Sequence, residues 1–97
     1  MPIFMMFGRY TQKGMKGISP ERTQKANAII EEVGGKAVSM YAVLGEDDLV
    51  LTLELPNSDV AMAVSVALHK LTGVAFRTSP VVEAEKFDTL IGKAMDI

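Results

Sequence analysis

An α+β sandwich, one four-stranded antiparallel sheet with two helices on one face, is the fold this sequence predicts. Three observations carry it. Apolar residues fill or alternate along four short segments, as in strands. Two longer segments repeat apolar residues at the three-to-four spacing of a buried helix face. Glycine and proline clusters divide the chain into the order strand, helix, strand, strand, helix, strand. That order makes two βαβ-like halves, a ferredoxin-like arrangement whose first and third strands lie at the centre of the sheet.

The elements follow in turn. Residues 3–10, IFMMFGRY, form a strand that is apolar on both faces, with Ile3, Met5 and Phe7 opposite Phe4 and Met6. Residues 11–18, TQKGMKGI, read as a polar, glycine-bearing loop. Ser19 is placed as a helix N-cap with Pro20 in the first helical position and Glu21 in the first turn. That helix runs to about Val33, with Arg22, Ala26, Ile29, Ile30 and Val33 on one face, and Gly34-Gly35 stops it. On this face Arg22 contributes its aliphatic stem and carries its charge outward. Residues 36–44 form the second strand, with Val38, Met40, Ala42 and Leu44 expected on one side. Residues 48–55 form the third, with Leu49, Leu51, Leu53 and Leu55 on one side and Asp48, Val50, Thr52 and Glu54 on the other. Ser58 or Asp59 caps a second helix that reaches about Thr72 and stops at Gly73. Residues 74–82 form the fourth strand, an edge strand because of Pro80. Residues 83–97 form a C-terminal helical tail on a single domain spanning 1–97.

Bulk composition excludes several function classes. A formal net charge of −2 and no basic stripe argue against nucleic-acid binding. Apolar residues make up 48% of the chain, yet no apolar run approaches the roughly 20 residues of a membrane span. The start, MPIFMMFGRY, lacks the basic region and cleavage site of a signal peptide. No cysteine is present, which suits a reducing cytoplasm and leaves no disulfide or ordinary structural zinc.

The apolar excess points to assembly. Helices cover one face of such a sheet, and the other should then be polar. The first and second strands do not alternate in that way, so a bare face would expose several hundred Å² of apolar surface. Stacking two sheets about a two-fold axis covers it, which predicts a homodimer. On the second helix Met62, Val66 and His69 lie opposite the core stripe, where a surface helix would carry charges, and a larger oligomer would use that side.

The segments FGRYTQKGMKGI, SPER, EEVGGK and LGEDDLVLTLELP resemble the GYD-domain family over roughly residues 3–80. The resemblance implies a dimeric α+β barrel, two ferredoxin-like units stacked by their sheets. The family's name comes from a Gly-x-Tyr-Asp-like turn. Here the turn is Gly45-Glu46-Asp47-Asp48, so Asp47 stands at the aromatic position.

Candidate chemistry is sparse. Glu46, Asp47 and Asp48 read as a hairpin turn whose carboxylates bond nearby N–H groups, rather than as a calcium or magnesium site, because the EF-hand spacing is absent. Asp48, at a strand start, points inward to tie down a loop or meet a ligand. Arg9, Tyr10, Thr11 and Lys13 place cations, a phenol and a hydroxyl at the end of the central strand, a set suited to an anionic or carbonyl-bearing molecule. His69, the single histidine, is expected at the surface or an interface. Tyr41 and Arg77 are expected on adjacent strands, lining the cleft or a dimer interface. The expected ligand residues are therefore Tyr10, Thr11, Lys13 and Asp48, with no metal and no cofactor. The expected function is a small cytoplasmic homo-oligomer holding a small molecule between sheet and helices. A cofactor-free oxygenase or isomerase, as in several dimeric α+β barrel families, and a structural or regulatory assembly module without ligand are the alternatives.

Overall fold

The computed structural model describes residues 1–96; Ile97, the end of the expected domain and of its tail, lies outside the described residues. The elements are β1 (Ile3–Arg9), α1 (Gln12–Lys16), α2 (Pro20–Glu32), β2 (Lys36–Ala42), β3 (Leu49–Glu54), α3 (Ser58–Thr72), β4 (Ala75–Val81) and α4 (Ala84–Met95). The four strands form one antiparallel sheet in the order β2-β3-β1-β4, and α2 and α3 pack side by side on one face. This is the ferredoxin-like α+β fold, with β1 and β3 at its centre.

The core lies between that face and the helices. Across the sheet, Phe4 opposes Leu53 and Pro80, and Met6 opposes Leu51 and Thr78. Met6, Leu53, Leu55, Ile30, Val64 and Leu68 have almost no exposed surface. Each such side chain contributes about 1.5–3 kcal/mol through burial. The helix boundaries follow local chemistry. The Ser19 hydroxyl accepts from the Arg22 N–H, and Pro20 occupies the first turn of α2. Past α2, Gly34 adopts φ +82°, and the N–H groups of Gly34 and Gly35 donate back to the carbonyls of Glu31 and Ile30. This paired bonding is a Schellman stop.

Four details depart from the sequence reading. The 11–18 segment contains a short helix, α1, because the Thr11 side chain caps it by accepting from the Gly14 N–H. The N-cap of α3 is Asn57 rather than Ser58 or Asp59: its Oδ1 accepts from the Val60 N–H at 2.9 Å. A break in the β2–β3 register between Ala37 and Ser39 puts Ala37 and Met40 on the core face opposite Leu53 and Leu51, and leaves Val38 exposed. The even-numbered alternation expected for this strand therefore fails before Met40, and Leu44 stands fully exposed beyond the strand, in the hairpin. Finally, Tyr41 and Arg77 lie on β2 and β4, the opposite edges of the sheet.

The face away from the helices carries Ile3, Met5 and Phe7 of β1 and Val50 of β3, all half-buried. Beyond β4, α4 buries none of its residues, and Phe87, Leu90, Ile91 and Met95 form an exposed apolar stripe.

Candidate functional site

The strand ends carrying Tyr10, Met40, Leu49 and Phe76 converge with the start of α2 and the end of α3. Between them lies a cleft of about 250 Å³. Its walls are mostly apolar: Ala26 of α2, Met40 of β2, Leu51 of β3, Leu68 of α3, then Val74 and Phe76. Gly8 helps to shape this region. A Cβ there would meet Phe76 at 2.8 Å and Val74 at 2.9 Å, so the absent side chain lets both residues lie against β1. The polar groups at the walls are those of Tyr10, Ser19, Arg22, Thr23, Tyr41 and Thr72.

Several of these groups are already anchored. The Thr72 hydroxyl donates to the Leu68 carbonyl at 2.7 Å and accepts from the Val74 N–H at 3.0 Å, which fixes the turn from α3 into β4. Gly73 supports that turn with φ +75°. Arg22 reaches from the first turn of α2 to the ends of α1 and α3. Its Nη1 donates to the Gly14 carbonyl at 2.6 Å and to the Thr72 carbonyl at 3.4 Å. It also borders a shallow outer hollow lined by Lys13, Lys25 and Glu21.

The residues singled out in the sequence separate as follows. Tyr10 lines the cleft. Asp48 stands beside it: its Oδ2 accepts the Tyr10 N–H at 2.8 Å, while its own N–H donates to the Gly8 carbonyl. Thr11 faces away from the cleft walls, its hydroxyl donating to the Gly73 carbonyl. Lys13 lies across Gly73 and borders the outer hollow rather than the cleft. The three acidic residues of the hairpin diverge. Asp47 pairs with Arg77 at 3.2 Å, and the Arg77 guanidinium sits 5.0 Å from the centre of the Phe7 ring on the bare face. Among the described residues no three histidine or carboxylate side chains gather closely enough to hold a metal ion. His69 is exposed, with Nδ1 2.7 Å from the Val74 carbonyl, and lies outside the cleft.

Sequence reasoning missed the cleft role of Arg22, Thr72, Met40 and Phe76. For Arg22 a signal existed, since an arginine interrupts the apolar face of α2. For Thr72 and Phe76 none did, because their place depends on which strand ends meet.

Solved structures share the fold at low sequence identity. A leucine response regulatory protein (LrpA) from Mycobacterium tuberculosis superposes with a TM-score of 0.57 at 14% identity, over 86% of this chain and 51% of that one. A feast or famine regulatory protein from M. tuberculosis, solved with L-methionine, gives a TM-score of 0.57 at 15% identity, over 87% of this chain and 52% of that one. This chain thus spans about half the length of those proteins, and the likeness concerns the fold. No curated protein sequence matches the chain. The model of the GYD domain matches residues 4–91, and the chain belongs to the GYD-domain family.

Proposed function

We propose that this protein is a ligand-binding module that holds a small, largely apolar molecule in the cleft between sheet and helices, and that it acts as a homodimer in the cytoplasm. The cleft itself carries the reading: about 250 Å³ walled by apolar side chains with a few polar groups at its rim. Pre-formed apolar pockets with a small number of oriented polar groups are the usual form of a small-molecule site. The module is similar in fold to regulatory proteins, one of them solved with L-methionine, and this supports binding in preference to chemistry. The wall composition points the same way. Among the described residues neither a carboxylate nor the imidazole borders the cleft, so an acid–base pair of the ordinary kind is not assembled there. Asp48 and Thr11 then act as braces: one holds Tyr10 at the rim, the other joins α1 to Gly73.

The test is a titration of ¹⁵N-labelled protein with indole, cyclohexanol and 4-phenylbutan-1-ol, followed by NMR. Amide shifts at Tyr10, Ala26, Thr72 and Phe76 are expected. Ala42, exposed at the cleft mouth, provides the control: Ala42→Trp should weaken the shifts without unfolding the core. If no compound of this kind moves those amides at affinities down to about 1 mM, the reading falls.

A further inference from the structure

We infer that the molecule held in the cleft carries a carboxylate, and that Arg22 receives it. This rests on the cleft being a binding site and adds the chemical class of the occupant.

Three observations lead there. First, Arg22 is positioned but not neutralised. Its Nη1 is held by the Gly14 and Thr72 carbonyls. These are uncharged acceptors that fix the guanidinium plane without cancelling its charge. The ion pair found among the described residues is Arg77–Asp47, so Arg22 has no carboxylate partner there. Second, Nε and Nη2 make no hydrogen bond among the described residues, and no side-chain nitrogen is buried without a partner. Those donors are therefore reachable from outside the protein. A guanidinium offers its N–H groups in a planar fork that matches the two oxygens of a carboxylate. Because the side chain is already held, little rotamer freedom is lost when an anion arrives. Third, the charge around Arg22 is one-sided. The outer hollow it borders is lined by Lys13 and Lys25, neither of which has a carboxylate partner among the described residues, against the one acid Glu21. Two lysines and an arginine raise the local concentration of an anion approaching the mouth.

The two halves of the site define the ligand. On one side of Arg22 the cleft walls are Ala26, Met40, Leu51 and Phe76, which reject a second charge. On the other is a cationic rim. The cleft exceeds the roughly 150 Å³ cavity that admits benzene in an engineered protein, so a phenyl ring or short branched chain fits the apolar part. The occupant is thus a compact apolar acid: one carboxylate at Arg22, with the hydrocarbon body lying toward Phe76.

The experiment compares 4-phenylbutanoate with 4-phenylbutanamide and 4-phenylbutan-1-ol, by NMR titration of the wild-type protein at low and high NaCl. The carboxylate is expected to bind about tenfold or more tightly than either neutral analogue, to shift amides at Ala26 and Phe76, and to lose its advantage as salt rises. Arg22→Gln should remove the preference, and Arg22→Lys should retain part of it. Equal affinity for acid, amide and alcohol overturns the inference while leaving the cleft as a binding site. Carboxylate shifts confined to the outer hollow, without Met40 or Phe76, also overturn it. Failure of all three probes to reach the cleft overturns both readings. The comparison within the wild-type protein stays decisive even if Arg22→Gln disturbs the fold.

Discussion

The Asp48 carboxylate accepts the Tyr10 N–H across the end of the sheet, and so sets the direction in which the chain leaves β1 toward α1. Tyr10 is half-buried, so removing the acceptor leaves an N–H short of a partner where water competes only in part. Asp48→Ala should therefore destabilise the protein by about 1–2 kcal/mol, whereas Asp48→Asn, which keeps an oxygen acceptor, should cost clearly less. Urea denaturation of the two variants measures the difference. Identical midpoints for wild type and Asp48→Ala would remove the brace from the account. Arg22 is the second residue of consequence. Its stem belongs to the apolar face of α2 and its head to the rim of the cleft, and this division makes it both packed and available.

Among the elements, α3 shows how few local groups fix a boundary. Asn57 takes an extended conformation after Pro56, its side chain satisfies the Val60 N–H, and Asp59 lies in the first turn, where the helix dipole favours an acid. At the other end Gly73 closes the helix in the left-handed conformation. Asn57→Ala should cost about 1 kcal/mol and Asn57→Asp much less, read as shifts in thermal midpoint. A change in the Ala variant no larger than that in the Asp variant would show that water caps the helix equally well. The bulge in β2 acts on a larger scale. By inserting Val38 it brings Met40 opposite Leu51 and into the cleft wall, so one irregular residue decides which side chains of β2 line the cleft. In α4 the stripe of Phe87, Leu90, Ile91 and Met95 has no cover on its own subunit. A helix of this length is marginal in water by itself.

For the whole molecule the bare sheet face dominates. Ile3, Met5, Phe7 and Val50 lie together on the side without helices, and Arg77 stretches over Phe7 toward Asp47. Apolar surface of that kind is removed from water most simply by a second copy related by a two-fold axis. The proposed homodimer predicts sedimentation as a dimer at low micromolar concentration. Combining Met5→Lys with Val50→Lys should give a folded monomer, because two cations brought to a self-complementary surface face two more across the axis. Sedimentation of the wild-type chain as a well-folded monomer would refute the assembly, though it would leave the cleft and Arg22 untouched, since both are built from one subunit.

The sequence alone determined the order of the strands and of the two long helices, the strands at the centre and the stripe of α2 that turns inward. These are local properties: a period of two or of 3.6 reports how one segment divides its own faces, and glycine, proline and capping residues report where it stops. It also carried Tyr10 and Asp48 to the same end of the sheet, because both follow from strand polarity. Tertiary structure decided the rest. Arg22 meets the Thr72 carbonyl 50 positions along the chain, Tyr41 and Arg77 part to opposite edges, and the register slip at Val38 reassigns a strand face. No segment encodes these facts by itself. They arise where the ends of several elements converge, and that meeting is set by the packing of the whole core.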